Sequence, residues 1–273
     1  MDLVGIKKNT MSELLKVPTM AEYLAQGKQP EVLFWVGCAG SFDDRAKKIT
    51  KAFVKLLNKA KVEFAVLGTE ESCTGDPAKR AGNEFLFQMQ AVTNIEVLNA
   101  YEIKKIVTAC PHCFNTIKNE YPELGGNYEV MHHTTFLKTL LDEGRLTIEG
   151  GKYKGKRITF HDPCYLGRAN NVYEAPRVLI QKLEAELIEM KNCKRNGLCC
   201  GAGGAQMFKD AEPGNKEVNV ERTEQALDAK PEVIAAGCPF CNTMMTDGIK
   251  AKEKESDVQV MDVAELIANA QDL

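Results

Sequence analysis

Ten cysteines dominate the chemistry that this sequence of 273 residues can perform. The second half of the chain places five of them on three separate stretches, namely Cys164, the adjacent pair Cys199 and Cys200, and the pair Cys238 and Cys241. Several thiolates gathered from separate loops bind soft metals, which means zinc or an iron–sulfur cluster. The adjacent pair favours a cluster, because neighbouring side chains can reach two different metal atoms. A tetrahedral zinc ion needs only four ligands.

The first half of the chain repeats this pattern with four cysteines, which are Cys38, Cys73, Cys110 and Cys113. Each has a counterpart 126 or 128 residues later, which indicates an internal repeat. Thr74 stands where the second half has Cys200. Four thiolates suffice for a cubane [4Fe–4S] cluster, so we predict a second metal site here. The alternative is that this half holds no cluster and only supports the other half.

Other residues beside the cysteines are candidate parts of the second site. The loop after the adjacent pair contains Gly201, Gly203 and Gly204, whose small size lets backbone N–H groups approach a negatively charged cluster. His161 precedes Cys164 by three residues and is a candidate to hydrogen-bond a cluster sulfur or to carry protons. A purely structural histidine at a strand end is the alternative interpretation.

Two further patterns leave alternatives open. The motifs Cys110-Pro-His-Cys113 and Cys238-Pro-Phe-Cys241 also resemble thioredoxin-like redox pairs, since a helix N-terminus stabilises a thiolate. Their register with the upstream cysteines favours metal binding instead. Cys193 has no counterpart in the first half, and we predict that it is a core or loop residue rather than a ligand.

Short apolar runs and helical periodicities alternate along the chain and must position these cysteines. Strands are predicted at 31–36, 63–67, 105–109 and 129–132, and again at 157–161, 187–191, 232–236 and 258–261. Helices are predicted between them, with one long helical region over 78–100. This order predicts an α/β fold of two tandem repeats related by a pseudo-twofold axis, each a small parallel sheet of βαβ units. Every cysteine of the repeated pattern then lies at the carboxyl ends of the strands, where such sheets bind ligands.

The chain divides into four segments on this basis. Residues 1–28 are predicted to form a helical extension, because Thr19 and Glu22 have the spacing of a capping box. The first repeat then covers 29–149, and the second covers 158–273. Residues 150–157 are rich in Gly and Lys and are interpreted as a linker.

Composition and charge exclude several functional classes. The chain has 35 Lys and Arg against 38 Asp and Glu, so its net charge of −3 gives no reason to expect nucleic acid as a partner. Its uncharged runs are shorter than the roughly 18 apolar residues that a transmembrane helix needs. The first residues lack the apolar core of a signal peptide. We therefore expect a cytoplasmic protein with reduced thiols, associated with a membrane only through a membrane-bound partner.

At this point several stretches of the sequence resemble a known family. They are Cys73-Thr-Gly-Asp-Pro-Ala-Lys-Arg80, His161-Asp-Pro-Cys-Tyr-Leu-Gly-Arg168, Cys199-Cys-Gly-Ala-Gly-Gly204, Val218-Asn-Val-Glu-Arg222 and Cys238-Pro-Phe-Cys241. The pattern is similar to the cysteine-rich CCG domain. That domain occurs in the cluster-binding subunit of heterodisulfide reductase and in iron–sulfur subunits of glycolate, glycerol-3-phosphate and lactate oxidation. The similarity runs from about residue 30 to the end of the chain.

The resemblance implies a non-cubane iron–sulfur cluster on Cys164, Cys199, Cys200, Cys238 and Cys241. Thr74 departs from the family pattern, so the first repeat is not expected to hold a second non-cubane cluster. The implied function is that of a redox subunit. It would pass electrons between a flavin- or ferredoxin-type partner subunit and a disulfide, a quinone-linked complex or another acceptor. The competing hypotheses are a non-catalytic metal-bound scaffold and a thiol–disulfide oxidoreductase that works through the CPxC pairs.

Overall fold

Two four-stranded parallel sheets form the framework of the protein. The computed structural model describes residue 15, residues 17–210 and residues 213–273. The strands of the first sheet are β1 (Val32–Trp35), β2 (Phe64–Ala65), β3 (Lys105–Thr108) and β4 (Glu129–His132). Those of the second are β5 (Arg157–Phe160), β6 (Glu186–Leu187), β7 (Val233–Ala236) and β8 (Gln259–Asp262). The predicted pair of parallel sheets is therefore confirmed.

The two sheets have the same topology. Their strand orders are β2-β1-β3-β4 and β6-β5-β7-β8, and every neighbouring pair is parallel. The central strands β1 and β7 are apolar throughout, because helices cover both faces of a parallel sheet. All four residues of β1 and all four of β7 are buried. In each sheet the second strand lies on one side of the first strand, and the third and fourth strands lie on the other side. This change of direction opens a crevice at the carboxyl ends of the strands.

Helices connect the strands in both repeats. Those before and within the first repeat are α1 (Met20–Ala25), α2 (Gly37–Phe42), α3 (Ala46–Lys59), α4 (Asp76–Arg80), α5 (Glu84–Ala100), α6 (Pro111–Asn119) and α7 (His133–Asp142). Those of the second are α8 (Glu174–Lys182), α9 (Val218–Asp228), α10 (Pro239–Ala251) and α11 (Val263–Ala270). Among the described residues, no helix is both long and apolar enough to cross a bilayer.

Two predicted elements differ in the structure. The helical region predicted over 78–100 consists of two helices, since Gly82 has a φ of +86° and Asn83 caps a new helix by accepting a hydrogen bond from the Leu86 N–H. The strand predicted at 187–191 ends instead at Leu187. The Ile188 N–H still donates to the Ile158 carbonyl, and further along the chain Arg222 donates to the Asn192 carbonyl.

The repeats pack on each other through equivalent helices. Helix α3 contacts α11, and α7 contacts α8. Because α3 and α8 follow the first strand of their repeats, and α7 and α11 follow the last, the two contacts are related by the predicted pseudo-twofold axis. Phe53, Leu137, Leu179 and Leu266 all belong to the single apolar core that spans this interface.

Buried polar contacts also cross between the repeats. His133 Nε2 lies 2.8 Å from Asp262 Oδ1, and both side chains are fully buried. His132 Nε2 contacts the Gly237 carbonyl at 3.0 Å. At the edge of the interface, Arg45 donates two hydrogen bonds to the Glu265 carboxylate. The two histidines therefore have structural partners that account for their burial.

The segments outside the two repeats are packed against them. Thr19 and Glu22 form the predicted capping box of α1, and Met20 is buried against the first sheet. The rest of the predicted extension, residues 1–14 and 16, lies outside the described residues. The segment 150–157 contains a short 3₁₀ turn, and its Tyr153 side chain is buried in the core shared by the repeats.

The shared core generates a prediction about stability. Phe53 is completely buried, and its ring packs edge-on against Phe34 and His133. We expect Phe53→Ala to lower the free energy of unfolding by about 3–5 kcal/mol, because it leaves a cavity between the repeats. Phe85→Ala is the matched control, since that ring is 76% exposed and its loss should change stability by no more than about 0.5 kcal/mol. Chemical denaturation of both variants measures this, and equal effects would contradict the shared core.

Candidate metal centre

The cysteines of each repeat converge at the carboxyl edge of its sheet. Helices α6 and α10 begin there, and each has proline at its first position. Cys110 and Cys238 are the N-cap residues of these helices, so each CPxC pair lies on a helix N-terminus. A helix N-terminus carries a partial positive charge and favours thiolates. All ten cysteines are free thiols.

The first repeat brings its four predicted cysteines into one group. Cys38 and Cys73 hydrogen-bond to each other, as do Cys110 and Cys113. The bond from Cys38, aided by the Gly75 N–H, lowers the pKa of Cys73 to about 6. Cys38 and Cys73 are partly exposed, whereas Cys110 and Cys113 are buried.

The second repeat brings together all five of its predicted cysteines. Cys164 hydrogen-bonds Cys199, and the Sγ atoms of Cys200 and Cys241 lie 3.3 Å apart. Bonds from Cys164 and Cys200 lower the pKa of Cys199 well below that of a free thiol. Burial alone would raise the pKa of Cys238, but hydrogen bonds with Cys241 and a histidine lower it to about 5. The site therefore stabilises the thiolates of Cys199 and Cys238, whereas hydrogen bonds from neighbouring sulfurs and burial raise the pKa values of the other three thiols.

Thr74 takes the structural place of the fifth cysteine in the first repeat. Its hydroxyl donates to Cys113 Sγ at 3.9 Å, just as Cys200 contacts Cys241 in the second repeat. Both Thr74 and Cys200 are buried. The two sites thus have equivalent contacts and differ at this position by one atom, an alcohol oxygen in place of a sulfur.

The predicted glycine loop lies over the second site. Gly201 has a φ of +92°, which favours glycine, and its N–H donates to Cys199 Sγ at 3.3 Å. A Cβ atom on Gly203 would lie 3.9 Å from the His112 ring, so the loop also approaches the first repeat. Gly204 has a φ of +68° and faces open space. Of the three, Gly201 is the one whose backbone contacts a cysteine.

His112 links the two sites, which sequence reasoning did not predict. It lies inside the first CPxC motif, yet its side chain hydrogen-bonds Cys238 of the second repeat. Its Nδ1 atom is 2.9 Å from Asp76 Oδ2, and its ring packs against Tyr165 and Phe240. Burial acts against a charge on this ring, but the bonds to Asp76 and Cys238 raise the pKa of His112 above its usual value.

Of the remaining candidate residues, His161 lies beside the second cysteine group and Cys193 does not. His161 is buried, and one of its ring nitrogens lies within 4.8 Å of the sulfurs of Cys200 and Cys241. Arg222, a fully buried residue missed in the sequence, donates to His161. The only signal for it was its place in the conspicuous stretch 218–222. Cys193 instead hydrogen-bonds Glu189 and joins neither cysteine group.

This architecture defines the chain as a member of the cysteine-rich domain family. The family model for the CCG cysteine-rich domain matches twice, over residues 32–118 and 158–246, so the predicted family is confirmed. Each match covers the grouped cysteines of one repeat and ends before the last strand of its sheet.

Individual relatives are iron–sulfur or redox proteins by name. The chain is 48% identical over 93% of its length to the probable iron-sulfur-binding oxidoreductase FadF of Bacillus subtilis. It is 47% identical over 89% of its length to the EtfAB:quinone oxidoreductase of Syntrophomonas wolfei. It is 33% identical over 88% of its length to one of the subunits of the dihydromethanophenazine:CoB–CoM heterodisulfide reductase of Methanosarcina barkeri. The chain spans 36%, 35% and 59% of these proteins, respectively.

Glu71, a further residue that the sequence did not mark, generates a prediction about pH. Its carboxylate accepts hydrogen bonds from the N–H groups of Val36 and Gly37, just before Cys38. Burial raises the pKa of Glu71 from 4.5 to about 7 in the folded protein. The stability gained from protonated Glu71 is therefore complete below about pH 4.5 and is lost as the pH rises through about 7.

We expect Glu71→Gln to remove this dependence. Between pH 5 and pH 8, the free energy of unfolding of the wild type should fall by up to about 3 kcal/mol relative to the variant. Glu70→Gln is the control, because Glu70 is an exposed neighbour that bonds Tyr101 at the surface. Denaturation curves across this pH range measure the difference. A parallel course of wild type and Glu71→Gln would contradict the assignment.

Proposed function

We propose that the chain is an iron–sulfur electron-transfer unit with a cluster in each repeat. The observation that carries the proposal is the assembly of nine thiols into two equivalent groups at the carboxyl edges of the two sheets. The five-thiol group of the second repeat would hold a non-cubane [4Fe–4S]-type cluster. The four thiols of the first repeat would hold a cubane [4Fe–4S] cluster, with Thr74 in place of a fifth ligand.

The donor set fits such clusters. Thiolates are the ligands that iron–sulfur clusters take, and the buried sulfurs of Cys200 and Cys241 are close enough to serve one polynuclear group. Burial without compensation would make an assembly of thiolates unfavourable. Here the N-termini of α6 and α10, the Gly201 N–H and His112 supply positive charge or hydrogen bonds. A bound cluster supplies one-electron transfer at a potential that these groups adjust.

The chain's own residues determine the route of the electrons. His112 touches a ligand candidate of the second repeat from within the CPxC motif of the first, so the two sites adjoin each other. Cys38 and Cys73 of the first group and Cys164 and Cys199 of the second are partly exposed, so either repeat could receive electrons from a flavin- or ferredoxin-type partner subunit. The acceptor would be a disulfide or a quinone-linked complex, as the names of the relatives suggest.

A thiol–disulfide oxidoreductase is less well supported. The pKa of Cys238, about 5, suits a reactive thiolate. However, Cys238 is completely buried and Cys241 nearly so, so a substrate disulfide cannot reach either sulfur. Thiol exchange requires such access.

Metal analysis of anaerobically purified protein tests the proposal first. We expect roughly eight iron and eight acid-labile sulfide per chain, because each site would hold four of each. Roughly four of each would limit the function to one repeat. Stoichiometric zinc with negligible iron would overturn the proposal in favour of a metal-bound scaffold.

Reciprocal substitutions test the assignment of cluster types. Cys200→Ser removes the fifth thiol and should replace the spectrum of the second cluster by that of a four-thiolate cluster at unchanged iron content. Thr74→Cys should do the reverse in the first repeat, because its side chain already occupies the equivalent place. Electron paramagnetic resonance (EPR) and Mössbauer spectra measure both changes. Cys193→Ser is the matched control and should leave iron and spectra unaltered, and if Cys200→Ser also did so, the five-thiolate assignment would fail.

A further inference from the structure

His161 faces the buried side of the five-cysteine site. It extends β5 by one residue, since its N–H donates to the Ala235 carbonyl at 2.9 Å. The side chain is 1% exposed, and a ring nitrogen lies within 4.8 Å of the sulfurs of Cys200 and Cys241. The imidazole can therefore act on this site either as a ligand or as a hydrogen-bond donor. The hydrogen-bond partner of the other ring nitrogen determines which of these two roles is possible.

Arg222 fixes the position of the proton on His161. Its Nε–H donates to His161 Nδ1 at 3.0 Å. Since a guanidinium is always protonated and only donates, Nδ1 must carry a lone pair. A ring with a lone pair on Nδ1 is the neutral form, because an imidazolium ion carries a proton on each nitrogen. The one proton of the neutral ring is then on Nε2, which makes Nε2 a donor and leaves it without a lone pair for iron.

The Nε2–H group of His161 forms no hydrogen bond within the described part of the protein. Nε2 of His161 is a buried nitrogen that finds no hydrogen-bond partner among the described residues. A buried hydrogen-bond donor without a partner destabilises the folded protein. Such a donor therefore indicates that a bound group, which is not part of the polypeptide, accepts its hydrogen bond. Beside two cysteine sulfurs, the acceptor that fits is a sulfur atom of the cluster site.

Arg222 itself indicates negative charge at the same place. It is fully buried, yet no carboxylate of the described residues forms an ion pair with it. The nearby Asp162 is already engaged by Arg177 through two hydrogen bonds. Nη1 of Arg222 bonds the Asn192 carbonyl and Gln225, while Nη2 finds no partner among the described residues. A buried cation needs a compensating charge, and the adjacent thiolates can supply it.

The first repeat carries a residue of matching character at the equivalent position. Trp35 precedes Cys38 by three residues, as His161 precedes Cys164. It is also completely buried, and its Nε1–H also lacks a partner among the described residues. Indole nitrogen only donates and cannot bind a metal in this form. The position is thus occupied in both repeats by a buried N–H group.

We propose that His161 is an N–H donor to a sulfur of the second-repeat cluster site, and that Arg222 is the positioning residue that holds it in the donor tautomer. The inference rests on the proposed function, because it requires a cluster in the second repeat. An N–H donor stabilises the more negative, reduced form of a cluster, so this pair raises the reduction potential of that cluster. Trp35 presents a buried N–H group at the equivalent position of the first repeat.

The test compares variants that keep or remove the N–H group in the anaerobically purified protein. His161→Leu removes the donor and should lower the potential of the second-repeat cluster in an EPR-monitored redox titration. His161→Gln places an amide N–H near the same point and should restore most of the shift. Arg222→Met should lower the potential as His161→Leu does, whereas Arg222→Lys, which keeps a donor and a charge, should lower it less. Trp35→Phe is the matched control and should shift only the first-repeat cluster.

Electron–nuclear double resonance on protein labelled with ¹⁵N-histidine distinguishes a donor from a ligand. We expect one exchangeable proton coupled to the second cluster, present in the wild type and lost in His161→Leu. Strong coupling to a directly bound histidine nitrogen would overturn the inference. An unchanged potential and proton signal in a His161→Leu protein with full iron content would also overturn it, while leaving the proposed function intact. A wild-type protein without iron would overturn the proposed function itself and this inference with it.

Discussion

The crowding of sulfur atoms is the constraint on which the rest of the structure depends. In the second repeat two buried sulfurs lie 3.3 Å apart, and three further thiols surround them. If all five were ionised without a counter-charge, they would repel one another in a medium of low dielectric constant. The protein compensates with the N-terminus of α10, a glycine N–H, a histidine from the other repeat and a buried arginine. This positive environment makes the site suitable for an anionic metal cluster and unsuitable for free thiols.

Much of the framework could be predicted from the sequence because it depends on local patterns and on spacing. The apolar runs gave seven of the eight strands nearly in place, and the offsets of 126 and 128 residues revealed the duplication. The elements predicted least well are those with weak local signals. Gly82 adopts a positive φ and divides the helical region predicted over 78–100. Strand β6 ends at Leu187, and side chains from distant elements bind the backbone only further on, at Asn192 and Lys194.

The grouping of the nine cysteines followed from the predicted topology, but their environment did not. Arg222 and Glu71 are charged residues in helical or loop segments, where solvent exposure is the usual expectation. Their burial depends on contacts between residues 35 to 61 positions apart. The reach of His112 to Cys238 crosses from one repeat to the other, and no property of the CPxC motif predicts it. Such residues become visible only when the tertiary structure is known.

The matched contacts of α3 with α11 and of α7 with α8 have a consequence for the origin of the molecule. A protein with a single repeat could form the same interface with an identical copy, because the surfaces that meet are equivalent. In that homodimer both metal sites would be identical, and any substitution would appear twice. Joining the copies in one chain removes this restriction. Thr74 opposite Cys200, Trp35 opposite His161 and His112 opposite Phe240 are differences that only a fused chain can maintain, and they turn one ancestral site into an ordered pair of unequal sites.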